Sequence, residues 1–171
     1  MADADVALAQ ARTGDPAGFE SLYRAFEGPV YTLARRICRT SEDAEDVLQT
    51  VFLRIARRDV SAETIERPEN YLRRAAVHAA LDLVRARRVS AAVDMEGLPS
   101  AAGSRPDEGD LRELLRQALS ELPARSAEIF TLRFFEGLTN PEIAGVLGIS
   151  SLSVAVTLHR SRRALQKKLR A

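Results

Sequence analysis

The chain has 171 residues, 46% of them hydrophobic, with 25 Lys and Arg against 24 Asp and Glu. That suits one or two small packed domains and excludes wholesale disorder. No apolar run spans a bilayer, no secretory signal opens the chain, and the lone Cys38 excludes both an internal disulfide and a Cys-pair zinc site. A cytoplasmic protein without membrane insertion is expected.

The pattern is helical almost throughout, with no convincing period-two strand, so the expected fold class is all-α. Asp15-Pro16 reads as an N-cap followed by Pro in the first turn. Phe19, Leu22, Tyr23, Phe26, Val30, Leu33, Ala34 and Ile37 then recur at spacings of three and four. Gly28-Pro29 interrupts them, so a kink or two helices is expected there. Ser41 is expected to cap a second helix with Glu42 and Asp43 in its first turn and Val47, Leu48, Val51, Phe52 and Ile55 inward. Pro68 opens a third, long helix to about Arg88, with Tyr71, Leu72, Ala75, Ala79 and Leu83 inward.

Residues 89–110 break the pattern. Gly97, Pro99, Gly103, Pro106 and Gly109, with several Ser and Asp, read as a flexible acidic linker and the domain boundary. Helices follow over about Leu111–Leu122 and from Pro123 to a stop at Gly137. Thr139-Asn140-Pro141-Glu142 is a capping box. Gly148-Ile149-Ser150 makes a tight turn, and a last helix runs from about Ser151 to Leu169 with Val154, Leu158 and Leu165 inward.

Charge is segregated along the chain. Residues 1–66 hold eight bases and twelve acids, and residues 67–88 hold six and two. Residues 89–110 hold one and five, and residues 111–171 hold ten and five. Two basic blocks separated by an acidic one suggest two contacts with a polyanion, against the blander reading of solvated helix faces.

Three constellations stand out. Thr139–Arg163 has the form of a helix-turn-helix, whose second helix fits the DNA major groove. Ser151, Ser153, Ala155, Val156 and His159 would face base edges, with Arg160, Arg162, Arg163, Lys167 and Lys168 nearer phosphates. The alternative is a helical hairpin that never meets DNA. On the long helix, Arg74, His78, Asp82 and Arg85 share a face, with Tyr71 at its start and Arg73, Arg87 and Arg88 flanking it. Cations and an aromatic suit single-stranded nucleic acid, although on these residues alone a core Tyr beside a solvated basic face is the favoured explanation. The acidic run Asp43–Phe52 lacks the Glu-x-x-His of a four-helix metal site and any nucleophile or basic partner. No metal, cofactor or catalytic residue is therefore expected, and a face that docks a partner is the better reading.

Together these residues resemble a sigma factor of the sigma-70 family, of the small extracytoplasmic-function (ECF) group, over about Phe19–Leu169. Phe19-Glu-Ser-Leu-Tyr23, Asp43-Ala-Glu-Asp46 with Gln49 and Phe52, Tyr71-Leu72 and Arg85–Arg88 look like region 2. Leu119-Ser-Glu-Leu-Pro123, Gly137-Leu-Thr139, Glu142-Ile-Ala144, Leu147-Gly-Ile-Ser150 and Leu158-His-Arg160 look like region 4.

The resemblance implies residues 1–88 as a region 2 domain, 89–110 as linker and 111–171 as a region 4 domain, with no further sigma region ahead of Phe19. It implies a non-catalytic subunit that binds the β′ clamp helices and β flap of bacterial RNA polymerase core and directs it to promoter DNA. Asp43, Glu45, Asp46, Gln49 and Phe52 would bind core. Tyr71, Arg74, His78, Arg85 and Arg88, with the loop before them, would capture unstacked bases of the −10 element. Ser151, Ser153, Ala155, Val156, His159, Arg160 and Arg163 would read the −35 element. The resemblance also admits an anti-sigma protein as partner. A free-standing helix-turn-helix regulator is the alternative function.

Three positions depart from the family pattern. Tyr71 stands where Trp is frequent and His78 where Asn is common. The recognition helix carries Leu152-Ser-Val-Ala-Val-Thr157 in place of the usual Gly-Thr-Val-Lys-Ser-Arg. Two cations are thereby missing, and Ala155, Val156 and Thr157 are instead suited to thymine methyls.

Overall fold

In the computed structural model, residues 2–57, 67–94 and 108–169 are described. They form eight helices and no strand. These are α1 (Ala2–Thr13), α2 (Pro16–Ile37), α3 (Ser41–Ala56), α4 (Pro68–Asp94), α5 (Glu108–Ser120), α6 (Ala124–Phe134), α7 (Asn140–Leu147) and α8 (Ser151–Leu169). Among the described residues no single helix is long and apolar enough to cross a membrane. The chain divides into two units, Met1–Ala80 and Leu81–Ala171, the division falling inside α4. Helix α4 runs past Arg88 to Asp94 and α5 begins at Glu108, so both trim the expected linker. The remainder of that linker, residues 95–107, and the loop before Tyr71, residues 58–66, lie outside the described residues.

In the first unit α2 and α3 supply most of the core. Leu22, Val30, Leu33, Ile37, Val47, Val51, Phe52 and Ile55 are buried, and α4 adds Leu72, Ala76, Val77 and Ala80. Asp15 caps α2 as expected, its carboxylate accepting from the Ala17 amide at 3.1 Å. The expected break at Gly28-Pro29 does not occur, and α2 continues through Pro29. Gly28 and Pro29 are exposed, as is Ala25, whose carbonyl the proline ring deprives of a partner. Thr40, rather than Ser41, caps α3, accepting from the Asp43 amide at 3.1 Å. Cys38 is buried and free of any disulfide.

Helix α1 is an element that the sequence periodicity does not predict. It packs on α2 through Ala7, Leu8 and Ala11. Gly18 makes this possible: a Cβ there would lie 2.3 Å from Gln10 Cβ, 3.0 Å from the Ala11 amide nitrogen and 3.1 Å from the Ala7 carbonyl oxygen. The backbones approach to a distance that only a missing side chain allows.

The second unit is built around α6, α7 and α8. Leu119, Leu122, Ile129, Leu132, Ile143, Leu147, Val154, Leu158 and Leu165 form its core. The capping box is present: the Thr139 hydroxyl accepts from the Glu142 amide, and the Glu142 carboxylate accepts from the Thr139 amide at 2.7 Å. Gly148 ends α7 in the left-handed region at φ 63°, and the Ile149 amide closes the turn on the Ala144 carbonyl at 3.1 Å. The buried Glu128 carboxylate pairs with Arg125 at 2.9 Å. Arg125 also donates to the Leu147 carbonyl at 3.1 Å, which ties α6 to the C-terminus of α7. That end carries unsatisfied carbonyls and negative dipole charge, so a guanidinium there is favourable twice over.

Candidate nucleic-acid interface

Helices α7 and α8 meet at 108°, joined by residues 148–150. This is helix-turn-helix geometry. The Ser150 hydroxyl accepts from the Ser153 amide at 3.1 Å and shares a hydrogen bond with the Ser153 hydroxyl at 2.9 Å, fixing the first turn of α8. Val154, Leu158, Ser161 and Leu165 form the buried stripe, and the Ser161 hydroxyl is satisfied by the Thr157 carbonyl at 2.9 Å.

On the opposite side, Leu152, Val156, Arg160, Arg163 and Lys167 share one exposed face, flanked by Ser151, Ser153 and His159. Of the seven residues expected to face DNA, six are exposed; Ala155 is half-buried. Arg162 lies over the Phe134 ring at 5.1 Å and leaves the shared face to the others. Leu152, which is not among those seven, is 74% exposed at the start of the helix. The signal was available: a large apolar residue sits out of register with the buried stripe.

The α4 set divides between the two units. In the first, Tyr71, Arg74 and His78 are half-buried neighbours on one face of the helix. Burial pushes the Tyr71 phenol up, while the charges of Arg54 and Arg12 pull it back. In the second unit, Arg85 bonds Asp82 at 3.2 Å. Arg88 reaches Glu121 at 2.6 Å and the Ser120 hydroxyl at 3.2 Å, and Lys168 pairs with the other Glu121 oxygen.

The acidic run on α3 is also split. Glu45, Asp46 and Gln49 are exposed together with Glu42 and Leu53, the latter 47% exposed. Asp43 and Phe52 are not part of that face, at 7% and 3% exposure. Phe52 instead packs edge-on against Tyr23, ring centroids 4.8 Å apart, and Phe19, 6.1 Å. Asp43 lies beside Val47 on the buried side of α3, whereas Phe52 falls in line with exposed Glu45 two turns earlier and is covered by the Phe19 and Tyr23 rings of α2. Among the described residues, no three His, Cys, Asp or Glu side chains gather as metal ligands.

A helical unit with an acidic exposed helix, followed by a unit with a basic helix-turn-helix, defines a DNA-binding transcription protein. Family models of sigma-70 region 2 and sigma-70 region 4 match residues 22–89 and 112–165. The RNA polymerase sigma-E factor of Streptomyces coelicolor is 31% identical over 157 residues, covering 91% of this chain and 88% of that protein. The ECF RNA polymerase sigma factor SigW of Bacillus subtilis is 25% identical over 177 residues, covering 95% of each. Among solved structures, CnrH in complex with the cytosolic domain of CnrY matches with a TM-score of 0.59 and 26% identity, covering 99% of this chain and 97% of that one. The chain belongs to the sigma-70 family and is an RNA polymerase sigma factor of the ECF group. Two family regions in order favour this over a free-standing regulator.

Proposed function

We propose that this protein binds bacterial RNA polymerase core and carries it to promoters in the cytoplasm, with no catalysis of its own. Residues 1–88 supply core binding and −10 capture, residues 89–110 link, and residues 111–171 read the −35 element. The family matches, ending at 89 and resuming at 112, support that division. The exposed α3 face of Glu45, Asp46, Gln49 and Leu53 docks on the β′ clamp helices, while Asp43 and Phe52 hold the helix in place from inside. Tyr71, Arg74 and His78 face the −10 strand, with Arg85 and Arg88 further along α4. Helix α8 enters the major groove of the −35 element, and region 4 also meets the β flap. A protein that holds the factor inactive is a further expected partner, as CnrH is solved with the cytosolic domain of CnrY.

The observation that carries this reading is the pair of charged faces, acidic on α3 and basic on α8, each set on the unit that matches its sigma region. The test is gel filtration of the full chain with core RNA polymerase in moderate salt, followed by run-off transcription. Stoichiometric co-elution and promoter-dependent transcripts are expected. Elution of the chain apart from core overturns the reading.

A further inference from the structure

The base-facing half of α8 has almost no polar reader. Between Ser151 and Leu158 there is no Arg, Lys, Asn, Gln, Asp or Glu. These are the side chains that read guanine, adenine or cytosine through paired hydrogen bonds or charge. The Ser153 hydroxyl is engaged with Ser150 in capping the helix, and Thr157 is half-buried. Beside the short Ser151 and Ser153, the large side chains that the first two turns present outward are aliphatic: Leu152 at 74% exposure and Val156 at 42%.

Neither side chain belongs to the core. The buried stripe of Val154, Leu158 and Leu165 lies on the other side of the helix. The exposed pair continues directly into Arg160, Arg163 and Lys167 on the same face. That order matches a helix inserted by its start: apolar contacts at the groove floor and cations at the phosphate rim. The one apolar group on the major-groove edge of a base pair is the thymine C5-methyl. Leu152 and Val156 are one helical turn apart, about 6 Å along the axis, a span of about two base steps.

We propose that Leu152 and Val156 are specificity-determining residues that recognise thymine C5-methyl groups in the upstream promoter element, so that the element is read by apolar contact and not by paired hydrogen bonds. This rests on the reading that α8 enters the major groove of promoter DNA. It adds which bases are chosen and by which atoms.

The experiment uses the full chain assembled with core RNA polymerase. Upstream elements are selected from a randomised duplex. Each thymine of the selected element is then replaced in turn by uracil, which removes only the methyl group. At one or two positions uracil is expected to weaken binding about fourfold, the value of burying one methyl-sized group. 5-Methylcytosine paired with guanine at the same position is expected to recover part of that loss. Leu152→Ala and Val156→Ala should each abolish the uracil effect at one position. Both residues are exposed, so both variants fold, which a thermal melt verifies.

If scrambling the upstream element weakens binding but uracil at every thymine does not, the methyl contacts are refuted while α8 remains a DNA reader. Uracil effects that persist unchanged in both variants also refute the assignment. If scrambling the element leaves binding unchanged, placement of α8 in the groove fails and the methyl inference falls with it.

Discussion

Replacing Gly18 by Ala tests the contact on which the first unit's outer helix depends. The new Cβ would lie 2.3 Å from Gln10 Cβ and 3.0 and 3.1 Å from backbone atoms of Ala11 and Ala7. Carbon atoms in ordinary contact stand about 3.5–4.0 Å apart. Helix α1 must therefore retreat by about 1 Å, loosening the seats of Ala7, Leu8 and Ala11. Overpacking of this kind costs about 1–3 kcal/mol. Alanine returns at most about 1 kcal/mol through its better helix propensity. The net expectation is a loss of about 1–2 kcal/mol, equivalent to a fall of roughly 5–15 °C in the melting of a unit this size.

Gly145→Ala is the matched control. It makes the same chemical change in α7, where a Cβ would meet nothing within 4 Å, and it should gain close to 1 kcal/mol. Circular dichroism of the full chain in a urea titration and a thermal scan reads both variants. A Gly18→Ala protein as stable as the parent, or more so, would show that α1 does not sit against α2 at this spacing.

Three other outcomes follow from the sites. Arg160→Ala and Arg163→Ala should each reduce the slope of log affinity against log salt by about 0.9 in promoter binding, and unchanged slopes would remove α8 from the phosphates. Asp46→Arg combined with Gln49→Ala should weaken core binding without moving the melting curve, whereas Phe52→Ala should cost about 3–5 kcal/mol of stability, because one pair is exposed and the other residue fills the aromatic cluster. If the double variant melts early with core affinity intact, the docking face is misassigned. The Tyr71 phenol titrates above its usual 10.0 in the fold, so the folded unit holds that proton more tightly than the unfolded chain. Its contribution is complete below pH 10 and is lost as pH rises through the higher folded value; urea midpoints of Tyr71→Phe should lack that part of the alkaline decline.

Much of the second unit was legible because its signals are local. Thr139, Glu142 and Gly148 act on their own turn of backbone, so their meaning survives without tertiary context. The buried stripe of α8 likewise follows from a 3.6-residue period. Helix α1 was not legible, since its inward residues are one Leu and two Ala in an alanine-rich stretch with no contrasting polar face. A close helix contact selects small side chains, and small side chains leave little hydrophobic pattern. Pro29 misled for the opposite reason: its cost depends on exposure, which sequence does not state.

Within the acidic run, residue type pointed to α3 but not to which side of it faces out. Register sets Asp43 beside Val47, and the rings of Phe19 and Tyr23, which lie elsewhere in the sequence, cover Phe52. Leu152 was passed over because apolar residues are read first as core. Its register opposite Val154 and Leu158 is the feature that marks it as exposed.

The carboxylate of Glu121 holds Arg88 on one oxygen and Lys168 on the other. It serves both cations as a built-in counter-ion. One carboxylate offsets only one of the two charges, so the pair keeps the net charge of a single cation and has fewer mobile ions to surrender when a phosphate arrives. Engaging DNA through Arg88 or Lys168 is then partly an exchange of one anion for another, with a shallower dependence on salt than at an unpaired cation. The protein thus carries two kinds of positive charge: open arginines on α8 that feel ionic strength in full, and a pair sharing one internal counter-ion that feels it less.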